Sequence, residues 1–145
     1  DNDFYLTGVQ FEVGERATPF EHRSFGDELA RCQRYCYAVL SGSDHLYTRF
    51  AMGPSTSAAE VQGIMYFPVT MRDRPSSLSS SAANTFQASS GTTGYPGTAL
   101  SMQLSTRSKN SANIIITTSG MTGANPHFIE SNNTSSAYLI FSAEL

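Results

Sequence analysis

Residues 4–39 read FYLTGVQFEVGERATPFEHRSFGDELARCQRYCYAV, and the rest of the chain is organised around this stretch. Its first part, residues 4–13, alternates apolar and polar side chains, which predicts a strand. Residues 14–23 form a charged connector that contains Pro19. Proline lacks a backbone N–H and disfavours helix at the residue before it, so neither helix nor central strand is expected to pass through this connector.

The third part, residues 24–39, predicts the one helix of the chain. Ser24 with Asp27 three residues later is an acidic variant of a capping pattern. Asp27 and Glu28 also suit the positive end of a helix dipole. An apolar stripe at helical spacing is formed by Leu29, Cys32, Cys36 and Val39. Two cysteines four residues apart on a helix do not suit disulfide geometry, so we expect buried thiols under the sheet.

These three segments carry sequence motifs in a fixed order: GVQxExG, then ATPFEHR, then ELxxCQRYxY, with FSAEL as the last residues. In this order they resemble the C-terminal region of phage tail-fibre, tailspike and other virion-surface proteins. The resemblance implies a strand and connector that lead into a helix and a terminal β-sandwich, in a virion protein that forms a homotrimer. The matching residues are Gly8, Val9, Gln10, Glu12, Gly14, 17–21, Arg23, Glu28, Leu29, 32–35 and 141–145.

The remainder of the chain predicts several short strands separated by turns rich in Gly and Ser. Such a pattern is typical of an antiparallel sandwich or barrel. We therefore expect a mainly β fold, an antiparallel, jelly-roll-like β-sandwich with one N-terminal α-helix. One compact domain would contain an N-terminal strand and connector (1–23), the helix (24–40) and the sandwich (41–145). The strands are predicted at 45–52, 57–71, 84–88, 98–106, 113–118 and 137–145.

Composition argues against several classes of protein. The net charge is −3 and only 14% of residues are charged, so a sequence-independent grip on nucleic acid is not expected. No apolar run approaches membrane-spanning length and no signal peptide is present, so membrane insertion is not expected. With two cysteines and three histidines, no metal site or cofactor is predicted. Since the chain opens with Asp1 rather than Met and leads directly into the predicted strand, we expect it to be the end of a longer polypeptide.

An enzyme needs convergent reactive groups, and the sequence predicts no catalytic residues. His22, His45 and His127 are far apart and belong to no catalytic motif. Glu12, Glu15 and Glu21 cluster in the first segment, and a carboxylate pair there could cleave glycosides. Solvated carboxylates, or pairs with nearby arginines, are the favoured interpretation. A glycan hydrolase therefore remains a distant alternative.

A binding module needs only a few aromatic faces and hydrogen-bonding groups on loops, which suits sugars. Two loop-rich stretches offer them, residues 72–97 and 125–133. Tyr95, between Gly94 and Pro96, is the best candidate for an exposed stacking platform, and a Tyr95→Ala change would then spare stability. The alternative is that Tyr95 packs on its own loop. The candidate ligand-binding residues are Arg72, Asp73, Arg74, Tyr95, Asn125, His127 and Asn132.

Two functions remain open from the sequence. The first is a fibre or spike tip on the virion exterior that binds host surface glycan. The second is a structural module that trimerises and caps a fibre without a ligand. In either case the expected partners are two further copies and other virion proteins. Residues 72–74 could form salt bridges between subunits. The apolar face of the first strand and the outer face of the helix, with Tyr35 and Tyr37, are candidate interface surfaces. Packing of the strand on the helix within one chain is an equally good interpretation of these apolar faces.

Overall fold

The computed structural model describes residues 6–16, 18–20, 22–121, 123 and 125–143. Within them the chain forms one α-helix, one short 3-10 helix at Ala83–Thr85 and ten strands. The helix α1 spans Phe25–Gln33. The strands are β1 Cys36–Leu40, β2 Arg49–Ser57, β3 Glu60–Tyr66, β4 Ser77–Ser80, β5 Phe86–Ser89, β6 Gly94–Pro96, β7 Ala99–Met102, β8 Ser111–Thr117, β9 Pro126–Ser131 and β10 Tyr138–Ser142.

The strands form two antiparallel sheets that share one core. Three strands pair in the order β1-β10-β4, and seven pair in the order β6-β5-β9-β2-β3-β8-β7. The seven-stranded sheet is curled, and the fold is mainly β with a single described helix, consistent with a β-sandwich. The predicted fold class is therefore confirmed.

The core lies between the two sheets and follows from strict alternation along the strands. In β8 every second residue is buried, and Ile114 and Ile116 are fully enclosed. The small sheet contributes Leu139 and Phe141 from β10 to the same cluster. Aromatic rings meet edge to face within it, with centroids 5.2 Å apart for Phe67 and Phe141. Such contacts add to area burial in fixing how the two sheets pack.

The predicted helix is real but shorter than its periodicity indicated. Its start is confirmed, because the Ser24 side chain accepts a hydrogen bond from the backbone N–H of Asp27 at 3.1 Å. It ends at Gln33, and Cys36–Leu40 is instead the strand β1, paired with β10 from Cys36↔Ser142 to Leu40↔Tyr138. The spacing of residues 36 and 39 matched a helix by coincidence, and long-range pairing determined the structure. The cysteine prediction was also wrong, since both thiols are exposed.

The first predicted strand, residues 4–13, is absent from the part of it that the structure describes. Residues 6–13 belong to no strand and are exposed throughout, whereas the start of the prediction, residues 4 and 5, lies outside the described residues. Glu21 and residues 144 and 145 of the terminal motif also lie outside the described residues. An alternating pattern indicates a preference for a half-buried surface, but residues 6–13 are not covered by any other part of the chain that the structure describes.

Each of the other predicted stretches contains a strand with shifted bounds, whereas β4 and β6 lie within residues 72–97, where they were not predicted. The strand predicted at 45–52 was expected to end before Gly53, but β2 runs through Gly53 and Pro54 to Ser57. Gly63 lies within β3, and a Cβ there would lie 2.9 Å from Ala51 Cβ in the neighbouring strand β2. The stretch around Phe128, predicted to be a loop, is the inner strand β9, which pairs with β2 and β5.

Candidate functional site

A polar cleft of about 620 Å³ opens on the outer face of the seven-stranded sheet, away from the core. It lies over β6, β5, β9 and the start of β2. The strand register accounts for it, because Gln87 is opposite Glu130, which in turn is opposite Arg49. The cleft is lined by Tyr47, Arg49, Gln87, Ser89, Gly91, Thr92, Gly94, Pro96, Glu130 and Asn132.

One wall of the cleft is the tight connection between β5 and β6. Ser89 Oγ accepts a hydrogen bond from the backbone N–H of Gly91 at 3.0 Å. Gly91 has a φ of +94°, a conformation that L side chains rarely adopt. Gly94 lies against the end of the Gln87 side chain, which a Cβ at position 94 would have to displace. The glycines of this connection thus bring its backbone close to the polar side chains of β5.

The centre of the cleft is a buried carboxylate. Glu130 is only 5% exposed, and its Oε1 accepts a hydrogen bond from Gln87 Nε2 at 2.9 Å. Its Oε2 lies 3.5 Å from Arg49 Nε. The Arg49 guanidinium also stacks on the Phe128 ring, 3.9 Å from the centroid. A buried charge must be paired and hydrogen-bonded to be tolerated, and these partners meet that requirement.

This arrangement presents both acceptors and donors to a ligand. A carboxylate accepts hydrogen bonds, whereas a guanidinium has five N–H donors, of which Arg49 commits Nε to Glu130. Tyr47, at the rim, is 54% exposed and offers an aromatic face. Hydroxyl groups both donate and accept, so a polyhydroxylated ligand with an apolar ring face matches the cleft. Among its described lining residues, Glu130 is the one carboxylate.

The structure brings one of the seven predicted site residues into this cleft. Asn132 lines it, although its Nδ2 donates to the Asn84 carbonyl at 3.1 Å. Tyr95 and His127 are brought together on the other face of the sheet, with ring centroids 5.9 Å apart. His127 is buried, and its Nδ1–H donates to the Asn125 carbonyl at 2.9 Å. Asn125 itself is tied to the Ser55 backbone.

Residues 72–74 lie at a different place in the fold. The backbone N–H of Arg72 donates to the Arg34 carbonyl at 2.7 Å, just after α1. Its guanidinium lies 5.6 Å from the Tyr35 ring centroid. Asp73 caps the backbone N–H of Arg74. None of these contacts involves the cleft, so the predicted residues do not form one site.

The prediction that Tyr95 is an exposed platform is wrong. Its side chain is half-buried and packs against the core cluster. We therefore expect Tyr95→Ala to lower the free energy of unfolding by about 1–2 kcal/mol through lost packing. Urea denaturation would measure this, with the exposed Tyr47→Ala as the matched control. Unchanged stability in Tyr95→Ala would contradict the packing assigned to it.

Sequence reasoning missed the central residues of the cleft: Tyr47, Arg49, Gln87 and Glu130. They lie in separate strands or loops, and only the register across β5, β9 and β2 brings them together. One signal was present. Glu130 follows Phe128 and Ile129 in HFIES, a charged residue within an apolar, strand-forming run, where a carboxylate requires a partner.

The described residues contain no group of three or more His, Cys, Asp or Glu side chains that could hold a metal ion. In that same part of the chain, no helix has the length and apolar character needed to cross a membrane. The chain matches no protein-family model, no curated protein and no solved structure.

Proposed function

We propose that this chain is a module on the exterior of a phage virion, the tip of a fibre or spike, that binds glycan on the host surface. It acts as a homotrimer together with other virion structural proteins, and it is not an enzyme. The motifs in residues 8–35 and at the end of the chain support the virion assignment. The observation that carries the binding function is the polar cleft around Glu130.

The cleft supports glycan as the ligand for three physical reasons. Its polar groups are fixed in place before a ligand arrives, because Glu130 is held by Gln87 and Arg49. A preorganised site loses less conformational entropy on binding. Donors and acceptors occur together, as hydroxyl groups require. Tyr47 supplies an exposed ring at the rim for the apolar face of a sugar.

The alternative is a structural module that trimerises and caps a fibre without a ligand. One observation favours it, namely that apolar side chains before and within α1 are exposed in the single chain, as Phe11 and Phe25 are. Assembly and receptor binding are compatible, so the two readings differ only in whether the cleft binds anything. A glycan hydrolase stays a distant alternative, because retaining and inverting glycosidases use two carboxyl groups.

Two substitutions in the cleft test the binding function. We expect Tyr47→Ala to weaken glycan binding about tenfold, equivalent to losing one aromatic contact. Arg49→Ala should weaken it at least as much, because it removes a donor and leaves Glu130 without its cation. Binding to an array of bacterial surface glycans and adsorption to host cells would measure both.

Matched controls separate the cleft from the general surface. Tyr66→Ala removes an exposed tyrosine from the same sheet face outside the cleft, and Arg74→Ala removes an exposed arginine from the 72–74 loop. Both should bind as the wild type does. If Tyr47→Ala and Arg49→Ala bind normally while folding is intact, the cleft is not the receptor site. A loss with Arg74→Ala alone would transfer the site to the 72–74 loop.

A further inference from the structure

The segment before the helix exposes apolar side chains to an extent that a folded chain rarely tolerates. We call residues 6–16 and 18–20 the arm. Phe11 is 99% exposed, and Val13 is fully exposed. Leu6 and Val9 are largely exposed too. Single exposed apolar residues are ordinary on protein surfaces, whereas several of them close together mark an interaction surface.

The helix continues this surface. No residue of α1 is buried, although helices in globular domains usually bury one apolar stripe. Phe25 and Leu29 are exposed on it. A groove between the arm and the first turns of the helix is lined by residues of both, including Phe11, Phe20 and Phe25. Polar side chains, Glu12 and Glu28 among them, also line this groove. We call the exposed apolar side chains of the arm and of α1, which lie around the groove, the arm–helix surface.

The arm nevertheless has a defined local structure. Glu12 accepts hydrogen bonds from both the backbone N–H and the hydroxyl of Thr18. The hydroxyl bond and then the backbone bond hold the pKa of the Glu12 carboxyl below its ordinary value. Gln10 Nε2 donates to the same carboxylate at 3.1 Å. The polar side chains at 10 and 12 are thus engaged within the arm, while the apolar ones at 9, 11 and 13 are left outward.

The total surface of the chain indicates how much is left uncovered. A compact monomer of this mass, 15.7 kDa, is expected to expose about 7,300 Å². The chain exposes 9,429 Å², about 2,100 Å² more. Stable interfaces bury about 800 Å² on each partner, and obligate homo-oligomers bury more and are more apolar. The chain as a whole therefore leaves enough surface uncovered for one stable interface.

We propose that the arm–helix surface is the contact by which copies of this chain assemble with one another. This inference rests on the oligomer of the proposed function and names the residues that form it. Identical copies supply the partner because each brings the same apolar surface, and closed cyclic assembly buries all of these surfaces at once. The sandwich, whose core is complete within one chain, then remains free to present the cleft outward.

The test is the mass of the isolated protein at micromolar concentration, measured by light scattering and sedimentation. The wild type should be an oligomer, with 47 kDa (about three times the chain mass) expected for the trimer. In the double variant Phe11→Ser, Val13→Ser the association constant should fall on the order of 100-fold or more. Its mass should then approach 15.7 kDa, while circular dichroism still reports the sandwich.

The matched control is the double variant Ile64→Ser, Tyr66→Ser, which removes an exposed β-branched and an exposed aromatic residue from the outer sheet face. It should keep the wild-type mass. A monomeric wild type would overturn the inference and assign the surface to a different chain. An arm variant that stays oligomeric, or a control that dissociates equally, would also overturn it.

Failure of this inference can be told apart from failure of the proposed function. Assembly is scored by mass in the arm variant, and receptor binding is scored by glycan binding in Tyr47→Ala. An oligomer that dissociates in the arm variant but binds no glycan supports the inference and the capping alternative. Glycan binding by a wild-type monomer would support the cleft as the receptor site and contradict assembly through the arm.

Discussion

Gly53→Ala is expected to destabilise the domain by about 3 kcal/mol or more, at the upper end of what overpacking costs. Gly53 lies within β2, at the centre of the seven-stranded sheet. A Cβ there would lie 1.8 Å from the Gln62 carbonyl oxygen and 2.7 Å from its carbonyl carbon. Both atoms belong to the backbone of β3, so relief requires β2 and β3 to separate rather than a side chain to rotate.

Equilibrium unfolding in guanidinium chloride would measure this loss. The matched control is Gly42→Ala, since Gly42 lies in a loop where a Cβ would meet its nearest neighbour, His45 Cδ2, at an ordinary 3.6 Å. Surface changes of that kind stay within about 0.5 kcal/mol. Equal unfolding midpoints for the two variants would mean that β2 and β3 do not approach as closely as described.

Phe86→Ala should cost about 3–5 kcal/mol of unfolding free energy, the range for truncating a buried aromatic residue. Phe86 begins β5 and is completely buried, and its ring meets the Phe50 ring edge to face with centroids 5.4 Å apart. The truncation would leave a cavity beneath the strand that also carries Gln87. Because domains of this size are stable by only 5–15 kcal/mol in general, much of the stability would be lost.

A thermal melt and a urea titration of Phe86→Ala would give the size of the loss. Tyr66→Ala serves as the comparison, because Tyr66 is an aromatic residue on the same sheet but is 73% exposed. It should change stability little. A loss below 1 kcal/mol in Phe86→Ala, or a comparable loss in Tyr66→Ala, would contradict the placement of the core face.

The β-class of this fold could be predicted from the sequence because strand-forming runs are a local property. Residues 113–118 are rich in β-branched side chains and residues 137–145 were predicted as the last strand, and β8 and β10 are found there. The start of α1 after the N-cap Ser24 could also be predicted from neighbouring residues, since a capping hydroxyl reaches only the next few backbone N–H groups. The end of α1 at Gln33 could not be predicted in this way. Whether residues 36–40 form helix or strand depends on β10, and no neighbouring residue carries that information.

The candidate site was less accessible to sequence reasoning for a related reason. Glu130 lies in a stretch that was taken as a loop, and Gln87 lies in the short strand predicted at 84–88. Both are on paired strands, β9 and β5, and their side chains reach the outer face. Composition indicated polar side chains there, but not which face they occupy. A shift of one residue in register would have moved Glu130 to the core side. Tyr95 is the converse case, an aromatic beside turn-forming residues that the pairing with Ala88 directs inward.

The position of β10 in the small sheet has a consequence for biosynthesis. It is the middle strand, with β1 on one side and β4 on the other, and it carries Leu139 and Phe141 into the core. During translation, β1 and β4 therefore have no pairing partner in their sheet until β10 is made, and β10 is the last of the described elements to be synthesised. Pairings this distant in sequence also form slowly. A product that ends before β10 would leave β1 and β4 without their partner strand and the core without Leu139 and Phe141, so we expect it not to fold stably.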